Sequence, residues 1–118
     1  MLFRSTKGGI NNLKYYAYDP AFPEYGRPQP AELVCCIDVL EHIEPEFLDN
    51  TLRELQRVTI DVGFFTVHSG AAEKILSDGR NAHLTQQPVE WWHKLVAKYF
   101  SVVSAERHQI FEIGRAHV

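Results

Sequence analysis

The sequence predicts an α/β domain built on a mostly parallel sheet, and three stretches carry that expectation. Residues 33–37 (LVCCI) form a continuous apolar run, bounded upstream by Pro28 and Pro30. A run of this length reads as a strand buried on both faces. After it, Leu48, Leu52 and Leu55 recur at i, i+4 and i+7, with Phe47 and Val58 beside them, so one face of a helix is apolar. A second apolar run, residues 62–68 (VGFFTVH), is followed by a second amphipathic stretch from Pro88, carrying Trp92, Leu95, Val96 and Tyr99 at helical spacing.

Each element has a local reason. Residues 1–13, rich in Ser, Thr, Gly and Asn, read as an irregular segment. Residues 14–18 (KYYAY) are aromatic and strand-like and end on Asp19-Pro20. Asp before Pro commonly opens a turn. Four prolines between residues 20 and 30 make that segment a loop. Pro45 suits the first position of the first helix, and Glu46 and Asp49 place negative charge in its first turn. Residues 71–76 suggest a short helix closed by Asp78-Gly79, and a polar loop, residues 80–84 (RNAHL), leads to Pro88. Residues 100–106 and 108–112 read as a closing antiparallel strand pair.

Composition bounds the function. At 118 residues the chain is one domain at most, small for a doubly wound enzyme. A net charge of −3 with scattered Arg and Lys gives no basic field, so nucleic acid is not indicated. Cys35 and Cys36 are adjacent and point to opposite faces of a strand. They read as free thiols in a reducing compartment, and no second Cys pair exists to complete a zinc site. No long apolar stretch marks a signal peptide or membrane span, so a cytoplasmic protein without membrane contact is expected. Neither a P-loop nor a dinucleotide fingerprint is present.

The order of these motifs carries a resemblance. DVLEH (residues 38–42) after an apolar strand, before an acidic helix start, resembles the fourth-strand motif of class I S-adenosylmethionine-dependent methyltransferases. Residues 77–92 (SDGRNAHLTQQPVEWW) and the terminal hydrophobic segment resemble the back half of one group of those enzymes. The similarity spans residues 14–112 and implies a Rossmann-like methyltransferase sheet. In that family a Gly-rich loop follows the first strand; here Gly8-Gly9 is the only candidate, with no GxGxG. The first strand and its loop are therefore expected to be missing, the chain being an N-terminally truncated piece. Residues 112–118 (EIGRAHV) resemble translated sequencing-adapter sequence, so residues 113–118 are set apart as a non-native tail.

What the resemblance implies is methyl transfer from S-adenosylmethionine to an unidentified acceptor, expected to be a small molecule rather than a macromolecule. Asp19, with Pro20, matches the family's acid that holds the cofactor ribose; turn initiation is the competing role. Ile37, Asp38 and Val39 would line the cofactor, and Phe22 and Tyr25 stand where adenine could be covered. Glu41, His42 and His83 would face the acceptor, as imidazole titrates near neutral pH. His68, His93 and His108 read as surface or packing residues. No metal ligand is assigned in this reading. An alternative draws on a further resemblance: Asp38, Glu41, His42 and His83 resemble the two-acid, two-imidazole metal set of small-RNA 3′-terminal 2′-O-methyltransferases. The remaining alternative is a non-catalytic, truncated methyltransferase-like fragment.

Overall fold

The computed structural model describes residues 2–5, 14–19, 21–106 and 110–116. Its centre is the pair β3 (Ala31–Ile37) and β4 (Thr59–Thr66), parallel and joined through helix α1 (Pro45–Val58). Val34 and Cys36 of β3 and Phe65 of β4 are fully buried under α1, which turns Leu48, Leu52, Leu55 and Val58 inward. Burying each such side chain stabilises by about 1.5–3 kcal/mol. Phe47 does not join them: it is 53% exposed. One residue before Leu48, it is rotated about 100° off the buried stripe. Burial also pushes the Cys36 thiol up to about 12, which leaves it un-ionised and inert at neutral pH.

β4 begins directly at the end of α1, three residues earlier than the apolar run suggested, and Thr59 ties the junction by donating its hydroxyl to the Leu55 carbonyl. Helix α2 (Val89–Ala97) follows Pro88 and buries Trp92 and Val96, with Trp91 half-buried against Trp92. Strands β5 (Phe100–Glu106) and β6 (Ile110–Ala116) close the sheet as an antiparallel pair. β6 lies between β4 and β5 and is antiparallel to both. It runs four residues past the expected strand end, so residues 113–116 of the expected tail are paired in the sheet; residues 117 and 118 lie outside the described residues.

Three expectations are corrected. Residues 2–5 are not irregular: β1 (Leu2–Ser5) pairs antiparallel with both β2 (Lys14–Ala17) and β3. A strand thus stands beside β3 where none was expected, saturating backbone groups on that edge. Gly8 and Gly9 lie outside the described residues. The sheet, ordered β2-β1-β3-β4-β6-β5, is not mostly parallel either. Because β1 and β6 run against their neighbours, β3–β4 is the only parallel pair among the described residues. Finally, residues 71–76 form no helix. So short a segment gains too few i→i−4 bonds to offset nucleation, and its backbone instead pairs with the 80–82 segment, through a bridge of Ile75 to Asn81 and a bond from Ala82 N–H to the Lys74 carbonyl. Gly79, at φ +89°, makes the reversal between them.

Among the described residues no helix is long and apolar enough to cross a membrane. What emerges is a small α/β domain in which the ends of β3 and β4 lie side by side, and the segments leaving them share one side of the molecule.

Candidate functional site

β3 ends on a crest built by Asp38. This residue takes a left-handed φ of +53°, which Asp tolerates better than most side chains. The conformation is held from β4: the Asp38 N–H donates to the Thr66 carbonyl and to its hydroxyl oxygen, both at 3.0 Å. The Thr66 hydroxyl in turn donates to Asp38 Oδ1 at 2.9 Å. A single 3-10 turn, Leu40–His42, then points Leu40 and Glu41 inward and leaves His42 exposed.

The long connection from β4 to α2, residues 67–88, is stitched onto this crest. Thr85, 2% exposed, donates its N–H to the Glu41 carbonyl (3.1 Å) and its hydroxyl to the Ile43 carbonyl (2.7 Å). Arg80 reaches Glu44 at 3.1 Å while holding Asp78 at 2.7 Å. These bonds bring the 80–84 loop against the DVLEH turn, so the two corners rim one site.

At that site three imidazoles meet. The rings of His42 and His83 pack edge to face with centroids 4.8 Å apart, and His68 lies 5.0 Å from His83. His42 Nδ1 is 3.0 Å from the Ala82 carbonyl and His83 Nδ1 is 2.7 Å from the Gly70 carbonyl. A carbonyl only accepts, so each Nδ1 carries a proton, and in the tautomer this sets the lone pair lies on Nε2. His68 Nδ1, by contrast, accepts the Gly70 N–H at 3.2 Å.

Glu41 lies beneath the rings, 0% exposed, and neither carboxyl oxygen makes a hydrogen bond of good geometry. Burial pushes its pKa above the ordinary carboxylate value; the backbone N–H of Glu41 draws it partly back, the charge of Asp38 adds to the rise, and His42 and the His68 backbone oppose it. One ligand atom from each of Glu41, His42 and His83 falls within 4.8 Å of the others. One carboxylate and two imidazoles are a donor set that suits a divalent transition ion. Asp38 does not belong to this cluster, its carboxylate being held by Thr66, so the four-donor set suggested by the sequence is reduced to three.

Two cavities adjoin the cluster. One, of about 430 Å³, is lined by Tyr18, Asp19, Val39, His42, Ile43 and Phe47, with Pro28 and the α1 residues Asn50, Thr51, Glu54, Leu55 and Val58. The other, about 470 Å³, is lined by Glu44, Pro45, Glu46, Arg80, Asn81, His83, Leu84 and Gln86. Asp19 Oδ1 accepts the Ala21 N–H at 2.9 Å, starting a turn, and the residue lines the first cavity.

Of the remaining expected cofactor residues, Val39 lines that cavity, whereas Ile37 and Asp38 are exposed and do not. Pro20 lies outside the described residues. Phe22 and Tyr25 pack on each other, half exposed, and line neither cavity. His93 is exposed on α2, and His108 lies outside the described residues.

Sequence reasoning missed His68, Thr66 and Thr85. For the first two, the signal was position: they follow or end a strand parallel to β3, so they must emerge beside its crest. Thr85, in contrast, carries no local signal. Comparison of the chain with protein-family models, with curated proteins and with solved structures finds no match.

Proposed function

We propose that this chain carries out methyl transfer from S-adenosylmethionine to a small polar acceptor. One observation carries the reading: Asp19, from the end of β2, and Val39 and His42, from the crest after β3, line the same cavity. A carboxylate there can accept both hydroxyls of a ribose, and the apolar wall offered by Ile43, Phe47 and Leu55 suits the rest of a nucleoside. The reversed β6 between β4 and β5 also agrees with the closing strand pair expected of a Rossmann-like methyltransferase sheet, although β1 runs opposite to the direction such a sheet needs.

In this reading the cofactor supplies an electrophilic methyl group, and the protein aligns the acceptor with it. As the acceptor's oxygen or nitrogen takes the methyl, the bond to sulfur breaks and leaves a neutral thioether. The proton the acceptor loses passes to Nε2 of His42 or His83, the nitrogen left open by the Nδ1-protonated tautomer. Glu41 beneath them stabilises the imidazolium that forms. A small acceptor is favoured because Arg80, the cation of the second cavity, is already engaged by Glu44 and Asp78.

Calorimetric titration of the chain with S-adenosylmethionine tests the reading. Binding should be measurable, and Asp19→Ala should weaken it by about 10- to 100-fold, the loss expected when hydrogen bonds to a charged group are removed. A folded chain that takes up no cofactor supports the non-catalytic fragment instead. Equal affinity of the variant removes Asp19 from the site.

A second reading adds a divalent ion at Glu41, His42 and His83. The buried Glu41 carboxylate, with no hydrogen bond of good geometry to either oxygen, favours it, since such a group is costly unless something charged compensates it. When bound, the ion would act as a Lewis acid on the acceptor oxygen. Titration with zinc or manganese should show one site in the chain and none in His83→Gln; activity that survives thorough chelation ends this version.

A further inference from the structure

We propose that Asn81 is the positioning residue of the imidazole pair: its side chain fixes His42 and His83 in the tautomer that leaves both Nε2 atoms unprotonated. The proposal deepens the reading of the site given above and rests on it for its functional meaning. Asn81 is half-buried at the base of the loop that leaves β4. Its Oδ1 accepts two N–H groups, from Ala72 and from His83, each at 2.9 Å. Its Nδ2 donates to the Ala72 carbonyl at 2.8 Å. The reverse amide orientation would set an NH₂ against two N–H donors, so the network assigns the orientation unambiguously.

This three-bond clasp stands between the two carbonyls that read the rings. Ala72, gripped from both its N–H and its C=O, is two residues from Gly70, whose carbonyl accepts the His83 Nδ1–H. Ala82, next to Asn81 in the chain, presents the carbonyl that accepts the His42 Nδ1–H. Locking the Ala72 backbone therefore sets the first acceptor, and locking Asn81 itself sets the second. Both rings, from different elements, are oriented by one amide. A carboxylate at this position keeps the two acceptor bonds but turns an oxygen toward the Ala72 carbonyl, so no other side chain of this size performs the same task.

The test is the protonation pattern of the rings, read by long-range nitrogen–proton correlation on ¹⁵N-labelled chain near pH 8, above the ordinary imidazole range. Resonances are assigned with His42→Gln and His83→Gln. In the unmodified chain both rings should show one tautomer, with the proton on Nδ1. Asn81→Ala and Asn81→Asp should lose that single pattern at both rings while circular dichroism stays native. Rings that keep the Nδ1-protonated pattern in folded Asn81→Ala overturn the proposal. Should that variant fail to fold, the unmodified chain still decides: Nε2-protonated rings there overturn the proposal by themselves. Cofactor titration is run alongside. A chain with the expected tautomers and no affinity for S-adenosylmethionine overturns the proposed function and leaves the clasp standing.

Discussion

Replacing Glu41 by glutamine should make the protein more stable at neutral and alkaline pH, an unusual outcome for a fully buried position. Glu41 is 0% exposed and neither carboxyl oxygen makes a hydrogen bond of good geometry, so its charged form is held at a cost. An unsatisfied buried polar group costs about 1–3 kcal/mol, and more when charged. Glutamine keeps the shape and the dipole and removes the charge, so a gain of about 1–2 kcal/mol is expected. In a domain of this size, that moves the unfolding midpoint up by roughly 4–8 °C.

The sign with pH follows from the raised pKa. The folded chain binds the proton more tightly than the unfolded chain, so between the unfolded and folded pKa values stability falls as pH rises. Glutamine has no such loss. The advantage of Glu41→Gln should therefore be full above the folded pKa and vanish as pH falls to the ordinary value of 4.5. Thermal unfolding followed by circular dichroism from about pH 5 to 8, with a chelator present, measures it. A variant less stable than the parent by the same margin at every pH would refute the reasoning, because the carboxylate would then be held by favourable partners.

Further outcomes follow from the packing. Leu52→Ala, at a fully buried position of α1, should cost about 2–5 kcal/mol in urea unfolding. Phe47→Ala, on the same helix but 53% exposed, should cost less than about 1 kcal/mol, since little of its surface is removed from water. Equal losses at the two positions would contradict the assigned helix face. Thr66→Val removes the hydroxyl that both accepts from and donates to Asp38, and should cost about 1–2 kcal/mol. If the crest depends on that tie, crystals of the variant will show Asp38 departing from its left-handed conformation; an unchanged crest at unchanged stability argues that the turn holds itself.

Much of this molecule was legible in its residues alone. The leucine spacing of α1, the start of α1 at Pro45 and of α2 just after Pro88, and the apolar character of β3 are properties of short segments. Hydrophobic period and backbone chemistry decide such properties before any tertiary contact forms. The approach of Glu41 and His42 to His83 was legible for a related reason, since parallel strands that are neighbours release their following loops on the same side.

What only the tertiary structure decided are matters of pairing and direction. No residue in Leu2–Ser5 announces that it lies antiparallel beside β3, because the strand's partner, not its own composition, sets its orientation. Nothing in DVLEH tells that Asp38 turns to Thr66 and leaves the imidazoles to Glu41, a choice made by a hydroxyl 28 residues away. Nor does Asn81 reveal in sequence that it grips a backbone nine residues upstream. Hydrophobic patterning operates along the chain, whereas hydrogen bonds between distant segments exist only once those segments have been packed together.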